Sequence, residues 1–346
     1  MCRLVIYRRG MTLVELLVVV AILGLLAIAV LPNVANTAES RRSREAARMV
    51  SSFVAKAQSR SLGRAEPAGL MLMASGSTSF ASLDVMLADV PPPYRGDTTD
   101  ATITMAASGA AQRTGTASLN ALASVVTAGV TTFDLIRFGG RGPFYELTAP
   151  PTGAGVSIRM LGTDADASDS ELRGYTSLNT PWPAPEPLPF EIFRRPDPAG
   201  SPLTLSDGRA IDLFWSGFGP PNVGAVVGTY RRFQTSGSRV SLLFDGTGRL
   251  WQVVEASVAG TYRRAVTGPV FLLVGRADRA TGDINADQSF NAGDDSTGAN
   301  WQYADSWWIA IDPMTGVAKS AECVPNATDV IASQRWVREG LLGTGR

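Results

Sequence analysis

The sequence predicts an α+β protein, with one long N-terminal helix packed on a β-rich, antiparallel, sandwich-like C-terminal head. Three observations carry this. Residues 11–31 form an apolar run in which Glu15 alone is charged. Val50, Phe53, Val54 and Ala57 follow at the i, i+3, i+4, i+7 spacing of one helix face. From residue 131 onward, short alternating runs are separated by Gly- and Pro-rich turns, and a chain with 35 Gly and 21 Pro favours a β head over a helical one.

The apolar run constrains the chain most. At about 1.5 Å rise per residue, its twenty-one residues reach roughly 31 Å, the thickness of a bilayer's hydrocarbon core. Arg3, Arg8 and Arg9 precede it, and positive charge on that flank holds the N-terminus on the cytoplasmic side with the head outside. A secretory signal would place an A-x-A-like cleavage site after the run, where Pro32, Asn33 and Val34 stand instead. The small residue with its basic pair comes before the run, in Arg8-Arg9-Gly10-Met11-Thr12-Leu13-Val14-Glu15.

This arrangement resembles the class III leader of the type IV pilin and pseudopilin superfamily. The resemblance implies a prepilin peptidase that cuts between Gly10 and Met11 and N-methylates Met11, leaving the apolar run on the mature protein. It implies a single pass through the inner membrane, then a filament of pilin or pseudopilin subunits. A carboxylate costs on the order of 2.5 to 3.5 kcal/mol at a bilayer's centre. Near the positive end of a helix, where Glu15 lies, the cost is smaller. In the resembling family the matching glutamate pairs with a neighbouring subunit's N-terminal amine; such a pair adds little stability but penalises the wrong register. Gly24 and Pro32 match the pilin positions between which the helix loosens on assembly. The expected segments are a leader at 1–10, a transmembrane and assembly helix at 11–32, and its amphipathic continuation at 33–63.

Leu62-Gly63 supplies the helix stop, and Arg41, Arg42, Arg44, Arg48 and Lys56 lie off the apolar face. The Ala/Arg-rich segment 46–64, followed by Gly69-Leu70-Met71-Leu72, resembles the second signature of the minor pseudopilin H/FimT group. The first part of the head is expected at 64–180. Within it, 75–130 reads as a low-complexity insertion of loops with one helix near Leu119–Val126. Its Arg95-Gly96-Asp97 triplet invites an adhesion reading, although three residues recur by chance. Strands are expected at 132–138, 144–147 and 156–161. The Gly-rich turn at 139–142 precedes a strand, whereas a phosphate cradle needs a helix N-terminus. Five prolines from Pro181 to Pro189 read as a stiff connector.

The second β part, 190–346, contains strands at 189–194, 209–216, 239–244, 249–255, 269–276 and 307–311. An Asp245-Gly246 turn joins one pair, Asp312–Gly316 turns into a last hairpin, and a short helix at 326–339 has Asn326 as its cap. One ligand site is legible. Asp283, Asn285, Asp287, Asn291 and Asp294 occupy positions one, three, five, nine and twelve of a calcium loop, with the Ser289 carbonyl at seven. It resembles a single dockerin-type loop, with Gln288 where the turn glycine belongs. Either a structural calcium or a solvated acidic loop fits; no other cofactor is required.

The 31 basic and 31 acidic residues include the three leader arginines, so the remainder is slightly acidic and not a globally basic nucleic-acid binder. There is no histidine, which excludes His-based triads and H-E-x-x-H zinc sites. Cys2 lies in the leader, leaving Cys323 without an intrachain partner after cleavage. An enzyme is not expected, since no carboxylate pair stands out for a glycosidase. The main reading is a minor pseudopilin of a type II secretion pseudopilus. A type IV pilus minor pilin that captures DNA or a surface at the tip is the alternative, with Arg194, Arg195, Arg231, Arg232, Arg263 and Arg264 as its test.

Overall fold

A computed structural model describes residues 13–75, 80–106, 112–140, 144–160, 183–219, 231–233, 239–256, 261–280, 298–325, 327 and 329–342, with side chains at these positions except 26–38, 112, 113, 160, 231, 262 and 342.

Helix α1 (Leu13–Ser61) runs 49 residues, continuous through Gly24 and Pro32. It stops where Gly63 takes φ +72° and donates its N–H to the Gly246 carbonyl at 2.9 Å. The chain continues through β1 (Ala68–Met73), β2 (Ala81–Ser82) and β3 (Asp84–Asp89). Next come β4 (Thr102–Met105), β5 (Gln112–Ala117), β6 (Leu135–Phe138), β7 (Tyr145–Leu147), β8 (Gly155–Met160) and β9 (Leu188–Phe193). Then follow β10 (Asp197–Thr204), β11 (Arg209–Phe218), β12 (Arg231–Arg232), β13 (Arg239–Phe244), β14 (Leu250–Ala256), β15 (Thr261–Ala265) and β16 (Val270–Arg276). The hairpin of β17 (Trp307–Ile311) and β18 (Ala318–Glu322) leads into α2 (Val330–Ser333) and α3 (Arg335–Leu342).

These strands make two antiparallel sheets and a barrel. The first sheet has the order β10-β3-β1-β13-β14-β15; the second has β12-β11-β16-β17-β18, with β2 also paired to β11. The C-terminal half of α1 shares one core with the inner faces of both. Val50, Phe53, Val54 and Ala57 meet Leu70, Leu72, Val240, Leu242 and Phe244 from the first sheet and Ile211, Leu272, Val274, Ile309 and Ile311 from the second. Fully burying a side chain such as Val54 or Phe53 contributes about 1.5 to 3 kcal/mol. The second sheet is buried on both faces. Alternate residues Phe271, Leu273, Trp308 and Ala310 point away from α1 into a second core with Trp215, Trp301, Val330 and Val337.

The barrel is an excursion. Strands β4-β5-β8-β7-β6-β9 close on themselves around Ile103, Met105, Ile136, Leu147, Ile158 and Ile192. The chain leaves from β3 and returns on β10, which are sheet neighbours with Asp89 opposite Asp197. Gly115 is required by this small interior, because a Cβ there would lie 2.5 Å from Met105 Sδ.

The structure departs from the expected segmentation in three places. Residues 75–130 contribute β2 through β5 rather than loops alone, and Leu119–Val126 form turns, not a helix. Short, small-residue strands such as β5 bury too little apolar area to show an alternating pattern. The expected 181–189 connector overlaps β9, whose Pro189 pairs with Thr102 of β4, so the change of module falls after Phe193. Pro189 lies near the start of its strand, where its carbonyl accepts the Gly139 N–H at 2.7 Å. The C-terminal helix is capped by Asp329, whose Oδ1 accepts the Ala332 N–H at 2.7 Å; Asn326 lies outside the described residues.

Candidate assembly site

Helix α1 passes through two environments. In the head it is docked, whereas Leu13, Val14, Leu16, Leu17 and Leu25 are 55 to 80 % exposed, and Val18 to Val20, Ile22 and Leu23 are exposed with them. These residues cover consecutive positions, so no polar face remains. A helix apolar all round belongs inside a membrane or among other helices. Among the described residues, no helix is long and apolar enough to cross a membrane; the side chains of 26–38 are not in that set.

Glu15 lies in the first turn of α1 as an exposed carboxylate. Gly24 is exposed on the same stretch, and a Cβ there would meet nothing within 4 Å. Pro32 sits inside α1, and Gly10 and Met11 lie outside the described residues. The structure therefore places Glu15, Gly24 and Pro32 on one continuous helix and leaves the cleavage site to the sequence.

Where α1 enters the head, charged groups hold it. Arg209, at the start of β11, is 1 % exposed. Its Nη2 donates to the Glu39 carboxylate and, at 3.2 Å, to the Glu39 carbonyl. Asp305 lies 3.6 Å from Arg209 and 3.6 Å from Arg279, whose guanidinium stacks on Tyr303. Arg44 pairs with Glu322 at 3.2 Å and lies over Trp307. At the far end, Gln58 Nε2 donates to the carbonyls of Gly248 at 2.9 Å and Thr315 at 2.6 Å. Arg60 and Arg64 both bind Asp89, and the bond from Arg60 holds that carboxyl below the usual range. Sequence reading missed Glu39, Arg209 and Asp305. Glu39 and Arg209 are 170 residues apart, and no local pattern links them.

The arginines set aside for a DNA-binding tip are engaged within the head. Arg195 donates to Thr131 Oγ1 at 2.5 Å and faces buried Asp134 at 3.7 Å. Arg194 bonds the carbonyls of Ala128 and Pro92. Arg263 donates to the Phe193 carbonyl at 3.1 Å, and burial pushes its guanidinium down to about 10. Arg264 pairs with buried Glu255 at 2.8 Å, and Arg232 stacks on Phe214 and Trp215. The side chain of Arg231 lies outside the described residues. The Arg95-Gly96-Asp97 triplet is likewise structural. Arg95 binds Glu191 at 2.9 Å, and Asp97 accepts from Tyr94 Oη and the Ser124 N–H. Gly96 takes φ +94° with Ala101 so close that a Cβ would lie 2.4 Å from it.

The calcium-spaced residues Asp283, Asn285, Asp287, Ser289, Asn291 and Asp294 lie outside the described residues. The chain on either side of them is tied down. Phe80 donates its N–H to the Ala280 carbonyl at 3.1 Å. Asn300 donates to Asp212 Oδ2 at 2.9 Å and exchanges two bonds with the Arg276 backbone. Burial pushes the Asp212 carboxyl up to about 6, opposed by the Asn300 bond and the N–H groups of Trp215 and Phe214.

Residues 7–31 match the family described as the prokaryotic N-terminal methylation motif. No curated protein and no solved structure matches the chain. The matched segment contains Gly10, Met11, Glu15, Gly24 and the exposed apolar stretch of α1, and it supports a type IV pilin-like chain that carries an N-terminal membrane anchor and is processed by a prepilin peptidase.

Proposed function

We propose that this chain is a minor pseudopilin of the H/FimT kind, a structural subunit of a type II secretion pseudopilus with no catalytic role. The observation that carries the reading is the coincidence of the methylation motif with an exposed stretch of α1, apolar except for Glu15, on the same helix whose other end docks in the head. The peptidase cuts after Gly10 and methylates Met11. The mature helix waits in the inner membrane with its N-terminus cytoplasmic and its head outside. Assembly then exchanges lipid for the helices of neighbouring subunits, and Glu15 selects the register by pairing with a neighbour's new amine. The filament extends and moves secreted protein mechanically.

A Gly10→Ala variant tests the first step. The precursor is expected to accumulate with residues 1–10 attached, as read by N-terminal sequencing; normal processing of that variant would overturn the proposal. Calcium in loop 283–294 belongs to the same proposal as a structural ion with Asp283, Asn285, Asp287, Asn291, Asp294 and the Ser289 carbonyl as ligands. Adding calcium to the chelated protein is expected to raise its melting temperature, and an unchanged melting temperature removes the site.

A further inference from the structure

Glu39, Arg209 and Asp305 meet where α1 leaves the head, and we infer that they form a clamp setting the direction and register in which the helix exits. Phe53, Gln58 and Arg60 seat the far end of the docked half. Nearer the exit the apolar contacts are small, since Ala46 and Ala47 present only methyl groups to the sheets. Arg209 holds the helix there. Its guanidinium is nearly closed off from solvent and binds both the carboxylate and the carbonyl of one helix residue, Glu39. A one-turn slide carries Glu39 about 5.4 Å away and leaves a buried cation facing Ser43, which is neutral. Asp305 braces the guanidinium from the turn before β17, Arg279 braces Asp305, and Arg42 reaches Glu39 at 3.7 Å along the helix. Arg276, at the end of β16, also faces Glu39 and Asp305, so the groups around the clamp come from α1, β11, β16, the turn before β17 and the segment after β16.

The clamp matters because α1 N-terminal to it is the exposed apolar stretch. A change of angle at Glu39 is magnified along the roughly 35 Å of helix between it and residue 15. The inference rests on the reading of α1 as an assembly helix. A subunit whose helix leaves the head in one direction presents Glu15 at one place, without an orientational search in the membrane. Buried ion pairs are best attested in this register-setting use.

The experiment measures exit direction in the full chain in detergent micelles, independently of leader cleavage. Spin labels go on Ala21→Cys in the exposed stretch and Ser201→Cys on β10, with Cys2→Ser to remove the leader thiol; Cys323 is buried and does not label. Pulsed electron resonance is expected to give a narrow distance distribution for this parent and one about twofold wider for Arg209→Met. Melting followed by circular dichroism identifies a variant whose head does not fold; Glu39→Gln, which keeps the guanidinium and its bond to the carbonyl, then supplies the comparison. Arg60→Ala, which cuts a pair at the other end of α1, is expected to leave the distribution unchanged. An unchanged distribution in folded Arg209→Met or Glu39→Gln overturns the clamp, as does equal widening in Arg60→Ala. Because no step needs the peptidase or a filament, a negative result leaves the proposed processing standing.

Discussion

Asp212 shows how much the fold asks of one residue. It sits at the β11 irregularity, takes bonds from Asn300, Phe214 and Trp215, and is wholly buried. Its carboxyl is raised from the ordinary 3.8 to about 6, so the folded head binds this proton more tightly than the unfolded chain. The unfolding free energy contributed by Asp212 therefore falls as pH rises from about 4 to 6, by up to about 3 kcal/mol. Asp89, Asp278 and Glu191, held low by arginines, act in the opposite sense as the pH falls. The difference in stability between the parent and Asp212→Asn, followed by urea unfolding from pH 4 to 7, isolates the Asp212 slope; a constant difference contradicts its raised value. None of this was legible in the sequence, where Asp212 is one acid in an alternating strand. Gly96 and Asp97 teach the converse, since a familiar triplet is consumed by a left-handed turn and the N–H of Ser124.

Among the elements, α1 was the most legible, because helical spacing and an apolar run are local signals. Val50, Phe53, Val54 and Ala57, selected by spacing alone, are all buried between the two sheets. Phe53→Ala is expected to cost the head about 3 to 5 kcal/mol, measured by chemical denaturation. A loss below about 1 kcal/mol would mean that the docked half of α1 contributes little to the core. The two late hairpins were legible for a related reason. Asp245 Oδ1 accepts from Thr247 and Arg249, and Asp312 Oδ1 accepts from Met314 and Thr315, so the turn chemistry is written in adjacent residues. The barrel was not. Its closing pairs, Thr102 with Pro189 and Leu135 with Phe193, are long-range, and small residues such as Gly115 sit where apolar periodicity would be sought.

The whole molecule is a two-sheet head, with α1 threaded into its core and a barrel inserted through adjacent strands β3 and β10. Because Asp89 and Asp197 are register partners, the barrel can be cut out and the strands joined by a short turn. Replacing residues 91–195 with a Gly-Asn linker is expected to leave a head that unfolds cooperatively, since the α1 core contains no barrel residue. Loss of a cooperative transition would show that the barrel is needed for folding. Arg194, Arg195, Arg263 and Arg264 have partners within the head, and among the described residues the longest run of exposed apolar side chains is the N-terminal stretch of α1. That stretch can pack against other helices only if it stays on the mature chain, so everything proposed for it depends on where the chain begins after processing. Mass spectrometry of the N-terminal peptide of the membrane-extracted protein tests it most directly. The expected chain starts at N-methylated Met11 with Glu15 as its fifth residue; an N-terminus beyond residue 31, or an intact one at Met1, would rule out a retained assembly helix.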